Sequence, residues 1–296
     1  MKIYSIKQEY VGARIDRWFK KNICDVPQAL IEKNLRKGKI KINNKKSKSS
    51  YKLLLNDKVQ VINFIPKANL YKKVKTKYVA TKKDVSTSSR FIIEDNENFV
   101  VLNKPNGISV QAGTKSRRNI LDILSKTKYF HNISPYPVHR IDKDTSGILI
   151  VAKNRKFAQL FTSMFRLRKI HKVYIGIVIG SFEKKEGTFI DELIYEEGKK
   201  IKLKAITHYK ILDSNNNYTL LKLTPETGRK HQLRRQLLMR NCPILGDLKY
   251  RLKETYKSKK SFLMLHAYKI NFSINDKKYK FVASLPDHFN VALKEK

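Results

Sequence analysis

One stretch constrains this chain more than any other. His139-Arg140-Ile141-Asp142-Lys143-Asp144-Thr145-Ser146-Gly147 crowds charges and hydroxyls together, and Ile148-Leu149-Ile150-Val151-Ala152 follows with none. A charged segment that ends in Gly and meets an apolar, β-branched run predicts a loop emptying into a buried strand. Holding a carboxylate beside a core is costly unless something compensates it. Two readings of Asp142 are open on spacing alone. It is either paired with Arg140 in a polar turn held by Thr145 and Ser146, or it is a functional carboxylate.

Charge narrows the partner. Lys plus Arg number 64 against 25 Asp plus Glu, a formal net charge of +39. The excess is spread along the chain, in runs at 45–48, 72–83, 199–204 and 249–260. Phosphate neutralisation with counterion release makes a polyanion the natural partner. Cys24 and Cys242 are far apart and have no Cys or His at ligand spacing, so neither a disulfide framework nor a zinc site is expected. No run approaches the roughly 18 apolar residues of a membrane span, and the first residues lack a signal-peptide core. The chain reads as cytoplasmic, with no membrane partner, and as a monomer.

Three parts follow from patterning. Residues 1–64 read as a small α/β module. Ile15, Trp18 and Phe19 lie at helical spacing, Pro27 opens a second helix with Leu30, Ile31 and Leu35 on its apolar face, and Gly38 stops it. Strands are expected at 39–43 and 57–62. Residues 65–90, rich in Lys, Ser and Thr, read as a basic linker. Residues 91–296 read as a larger α+β domain on a mainly antiparallel mixed sheet. Its expected elements are a hairpin over 91–104, a short helix at 119–124 and a helix carrying Phe157, Phe161 and Phe165. Strands follow at 172–180, 205–212, 218–223, 262–274 and 277–282, with a helix over 228–241.

The first part has a recognisable pattern. Arg14-Ile15-Asp16, Leu35-Arg36-Lys37-Gly38-Lys39-Ile40-Lys41-Ile42-Asn43 and Asn56-Asp57-Lys58-Val59 resemble the RNA-binding domain first described in ribosomal protein S-four. That resemblance implies RNA contact by Arg36, Lys37 and Lys39; as bare residues they also suit a solvated helix end.

In the larger part, polar residues sit in three β-rich settings: Arg140 with Asp142, Lys172 with Tyr174, and Pro225 to Arg234. A carboxylate, a phenol and a guanidinium could form a cofactor-free site, the Arg keeping the carboxylate ionised. Here a second resemblance is close. His139 to Gly147 resembles the HRLDxxTSG signature of the RluA-type pseudouridine synthases, with Ile for Leu. Asn103 to Gly107 resembles the family's NKPxG segment, Lys172-Val173-Tyr174 its KxY strand, and Pro225 to Arg234 its PxTGRxHQxR stretch. Pro243 to Tyr250 resembles PILGDxxY, and Leu265-His266-Ala267 resembles LHA.

The resemblance implies a reaction and a cast of residues. Asp142 would act at the ribose of a flipped uridine while the glycosidic bond breaks. Tyr174 would stack on the base, and Arg234 would pair with Asp142. Arg140 would fill the vacated stack, with Arg229 and His231 facing RNA. It implies no metal and no cofactor. The combination is similar to bacterial members acting on large-subunit ribosomal RNA, the C type among them, with relatives that act on transfer RNA. Gln111, Gln236 and Arg251 depart from the family pattern. A competing class is a non-catalytic RNA-binding ribosome assembly factor. A protein kinase fails, because no Asp directly follows Arg140 and no glycine-rich phosphate loop precedes it.

Overall fold

The computed structural model describes residues 1–63, 78–113, 117–197, 199–252 and 262–289. The chain divides into two compact units, Met1–Thr76 and Lys77–Lys296. The basic residues at 72–77 and 253–260 lie outside the described residues.

In the first unit, β1 (Lys2–Ser5) and β2 (Ile40–Ile42) flank β3 (Lys58–Val61) in an antiparallel sheet, with α1 (Ile15–Asn22) and α2 (Gln28–Arg36) between β1 and β2 in sequence. Ile15, Phe19, Ile31, Leu35, Ile40 and Val59 close its core. Asp16 is buried and joins the two helices: Arg14 and Gln28 both donate to its carboxylate, at 2.5 and 2.6 Å. Gly38 stops α2 at φ 69°, where a side chain would be strained.

The second unit contains α3 (Lys82–Ser88), β4 (Ile92–Asp95), β5 (Phe99–Lys104), α4 (Ile120–Leu124), β6 (Tyr136–Pro137), β7 (Ser146–Ala152) and α5 (Arg155–Arg166). It continues with β8 (His171–Ile179), β9 (Glu186–Glu197), β10 (Lys199–Ser214), β11 (Tyr218–Pro225), α6 (Gln232–Leu238), β12 (Leu265–Ile274) and β13 (Lys277–Val282). The strand order is β4-β5-β7-β12-β8-β11-β10-β9, with β13 on β12 and β6 on β7. Every described pairing in this sheet is antiparallel except β7 with β12.

Three expectations need correction. Residues 65–77 of the expected linker lie outside the described residues, but 82–88 form α3. Thr81 caps it with a reciprocal capping box to Asp84, and the buried Asp84 also takes Arg118 (2.5 Å) and Tyr78. Polar composition hid a helix held by one carboxylate. β9 was not anticipated, because Glu, Asp and Thr interrupt its apolar residues. The expected helix over 228–241 shrinks to α6, since Thr227 to His231 are tied down as a loop.

The parallel contact is short and demanding. Only two pairs are in register, His266 with Ser146 and Ala267 with Gly147. Ser146 Oγ lies 2.8 Å from His266 Nδ1, and His266 Nε2 lies 3.3 Å from the carbonyl oxygen of Ala283. Burial holds the His266 imidazole down at about 4, so it is neutral, with Nε2–H donating and Nδ1 accepting. Gly147 adopts φ 106°, and a Cβ there would overlap the backbone of Ala267. The TSG and LHA motifs are thus two sides of one seam. Gly147→Ala is expected to lower the unfolding free energy of the second unit by about 3 kcal/mol or more, read by urea denaturation. A variant as stable as the wild type would remove the seam from the account.

Candidate active site

The apolar run after the charged loop forms β7, fully buried as its composition predicts. The loop before it is fastened from below. Lys104, at the end of β5 and completely buried, donates to the carbonyls of Pro105 (2.7 Å), Ile108 (2.9 Å) and Lys143 (3.0 Å). Three N–H groups meet three acceptors. Burial pulls the ammonium down to about 7, against the opposing pull of Asp144 and Asp142. Gly107 N–H also donates to Lys143 O, and Asn106 Nδ2 to Asp144 O at 2.6 Å. The NKPNG segment is therefore a cradle for the backbone just after Asp142.

His139 fastens the loop's other end. Its Nε2 accepts from Ile150 N–H at 2.9 Å, and its ring stacks on Phe165 with centroids 4.4 Å apart. Burial, with Lys172 adding to it, lowers its pKa to about 3, which keeps the accepting nitrogen unprotonated. Phe165 packs against the core and also lines the cleft.

From the opposite side, the loop after β11 is pinned by Gln232. Its Oε1 accepts from Thr227 Oγ1 (2.7 Å) and Arg229 N–H (3.0 Å), while its Nε2 donates to Ile206 O (3.0 Å) and Thr207 Oγ1 (2.9 Å). Arg229 Nε donates to Lys204 O at 3.1 Å. Gln236, one of the departures from the family pattern, is buried and joins Thr207 to Asp191. His231 precedes α6 in the left-handed region at φ 54°. A non-glycine residue there is a functional hint when its surroundings enforce it.

These elements bring Asp142, Tyr174, Arg234, Arg140, Arg229 and His231 around one cleft of about 610 Å3. Arg36, Lys37 and Lys39 belong to the first unit, where all three are exposed. Asp142 is not paired with Arg140, which is exposed and lines the cleft. Arg234 Nη1 donates instead to Asp142 Oδ2 at 3.2 Å, and His231 Nε2 stands 3.6 Å from Asp142 Oδ1.

Asp247 was missed as a site residue, although it stands in the PILGDxxY turn. Arg234 Nε and Nη2 donate to its two oxygens, both at 2.7 Å, in a bidentate pair. Lys249 and Tyr250 N–H donate to the same carboxylate at 2.9 and 2.8 Å. Tyr250 adds its ring beneath the Arg234 guanidinium, 5.1 Å away, and its hydroxyl lies 2.9 Å from His231 Nδ1. Burial opposes the Arg234 charge, yet Asp247 and Asp142 outweigh it and raise its pKa. Burial also raises the Tyr174 phenol, reinforced by Asp142, so it stays protonated. His231 is lowered by burial, partly offset by Asp142.

The two aspartates divide the work. The Asp247 side chain is 0% exposed, whereas that of Asp142 is 25% exposed and holds Arg234 by a single hydrogen bond. A carboxylate held by Arg234 but open to the cleft shares that cleft with a protonated phenol and several cations. Asp247→Ala leaves a buried guanidinium short of its main partner, and the second unit should lose about 3–5 kcal/mol. Asp142→Asn keeps the Arg234–Asp247 pair and should stay within about 1 kcal/mol of wild type. Equal losses in urea denaturation would refute this division.

Comparison with known proteins identifies the family. Residues 98–239 match the family model described as RNA pseudouridylate synthase. A "Ribosomal large subunit pseudouridine synthase C" from Buchnera aphidicola subsp. Baizongia pistaciae is 33% identical, over 92% of this chain and 90% of its own length. One of the same name from Rickettsia conorii is 33% identical, over 94% and 96%. Among solved structures, human RNA pseudouridylate synthase domain containing 4 superposes with TM-score 0.61 at 29% identity, covering 71% of this chain and 94% of that one. A shared signature, a shared fold and a near full-length match lead to one conclusion: the chain belongs to the RNA pseudouridylate synthase family of isomerases.

Proposed function

We propose that this chain converts uridine to pseudouridine in large-subunit ribosomal RNA, with Asp142 as the reacting carboxylate. The observation that carries the reading is the setting of Asp142: hydrogen-bonded to Arg234 through Oδ2 at 3.2 Å, with His231 3.6 Å from Oδ1, and open to the cleft. The names of the relatives support the ribosomal target.

A base inside a duplex is out of reach, so the target nucleotide is extruded into the cleft. Asp142 acts at its ribose while the C1′–N1 bond breaks. The uracil turns, C5 bonds to C1′, the C5 proton leaves and N1 takes a proton, so the product is an isomer. Tyr174 stacks on the base and, being protonated, adds no negative charge against the uracil. Arg234 holds Asp142 in place through its Nη1 hydrogen bond. Arg140, exposed and without an ion-pair partner among the described residues, suits the space left in the stack. Arg229 and His231 line the same wall, and the chain acts as a monomer in the cytoplasm. Arg36, Lys37 and Lys39 anchor structured RNA through phosphates.

Ribosomal RNA treated with wild type and with Asp142→Asn, then mapped by carbodiimide primer extension, tests the chemistry. The variant should lose at least about a thousandfold in rate. Full activity would sink the role of Asp142, modification of transfer RNA alone would move the target, and no pseudouridine in any RNA would favour an assembly factor. Replacing Arg36, Lys37 and Lys39 together by Ala should weaken RNA binding and flatten the log–log salt slope by about 2–3. An unchanged slope would remove the RNA anchor.

A further inference from the structure

Lys172 lies two residues before Tyr174 on β8, and both line the cleft. Its ammonium is only 3.9 Å from where a Cβ on Gly228 would stand, so it reaches toward the loop after β11. Among the described residues Lys172 makes no hydrogen bond or ion pair. Burial lowers its pKa, and Arg168 lowers it further. An unpartnered cation in a cleft wall is an expense that a bound anion would remove.

Arg168 repeats the pattern. It follows α5 in the left-handed region at φ 57°, where its N–H closes the helix onto Phe165 O and the next N–H onto Met164 O. Glycine is the favourable residue at such a helix end, yet an arginine stands there with its side chain on the cleft. The carboxylates of the cleft are already engaged. Asp142 takes Arg234 and His231, and Glu226 takes His208 at 2.7 Å. Among the described residues no carboxylate pairs with Lys172 or Arg168.

We infer that Lys172 and Arg168 form a phosphate subsite for the backbone of the flipped nucleotide, beside the Tyr174 base position. This rests on the function proposed above. Side chains two apart on a strand share one face about 7 Å apart, a span comparable to that from a base to its own phosphate. Lysine offers a point charge and arginine a planar fork for phosphate oxygens. Gly228 leaves the approach to Lys172 open.

The test uses full-length protein and a short ribosomal RNA fragment containing the mapped uridine, with a neutral methylphosphonate replacing one phosphate at a time. Wild type should lose about tenfold in affinity for a methylphosphonate adjacent to the target, and little for a distant one. Lys172→Met should lose about tenfold on natural RNA, with a salt slope lower by about 0.7–0.9, and then be indifferent to the adjacent methylphosphonate. Lys172→Arg should restore most of the affinity. Arg168→Gly should bind RNA more weakly while unfolding at a higher temperature, a combination that a structural role would not produce. Lys172→Gln replaces Lys172→Met if the latter unfolds early. Penalties that add fully, or wild-type affinity in Lys172→Met, overturn the subsite while pseudouridine still forms. Failure of wild type to form pseudouridine in any RNA overturns the functional reading, and the subsite with it.

Discussion

The site depends on a seam two residues wide. Ser146 with His266 and Gly147 with Ala267 make the one parallel contact among the described strands of the second unit. β5 lies on one side of β7 from Gly147 to Ala152. On the other side β12 touches only the first two residues and then departs to pair with β13. The divergence needs close backbone approach at Gly147, which no side chain permits. It also needs a neutral imidazole to fill the wedge. Because β7 begins at this seam, the residues before it are thrown across the sheet, where Asp142 meets α6.

Around that geometry, charge is arranged by desolvation. Arg234 is nearly buried, and a buried guanidinium persists only with partners. Asp247 supplies them in full and sits on a turn whose own N–H groups bind the same carboxylate. Asp142 contributes one oxygen and keeps its exposure. The asymmetry matters more than the number of bonds. One aspartate stabilises the arginine, and the arginine then orients the other. Lys104 extends the same logic to the backbone, with a buried ammonium meeting three carbonyls.

Much of this was legible in the residues. The apolar periodicity of α1 and α5 and the unbroken run of β7 are local signals, and local signals survive folding. The meeting of Asp142 with Arg234 was not local. It came from resemblance, because no periodicity links residues so far apart. Asp247 stayed hidden for a related reason, since its role exists only once the turn faces α6. Lys104 ends a strand and reads as solvent-exposed until three carbonyls are seen around it. α3 has too few apolar residues for pattern reading, and its stability lies in Asp84. β9 alternates, but with charges that mimic a loop.

His139 carries a last consequence. β6 covers Val151 and Ala152 on the flank of β7 away from β5, and β12 covers Ser146 and Gly147. Between them the Ile150 N–H would face an empty lane, and an imidazole nitrogen fills it. A side chain thereby stands in for a missing strand. Three residues later comes Asp142, so the span from ladder to carboxylate is a lever with one end bolted to the sheet. Lengthening or shortening that span by one residue would swing the carboxylate off the arginine while leaving the sheet intact. The spacing within the motif is a ruler, set by the width of the lane that His139 closes.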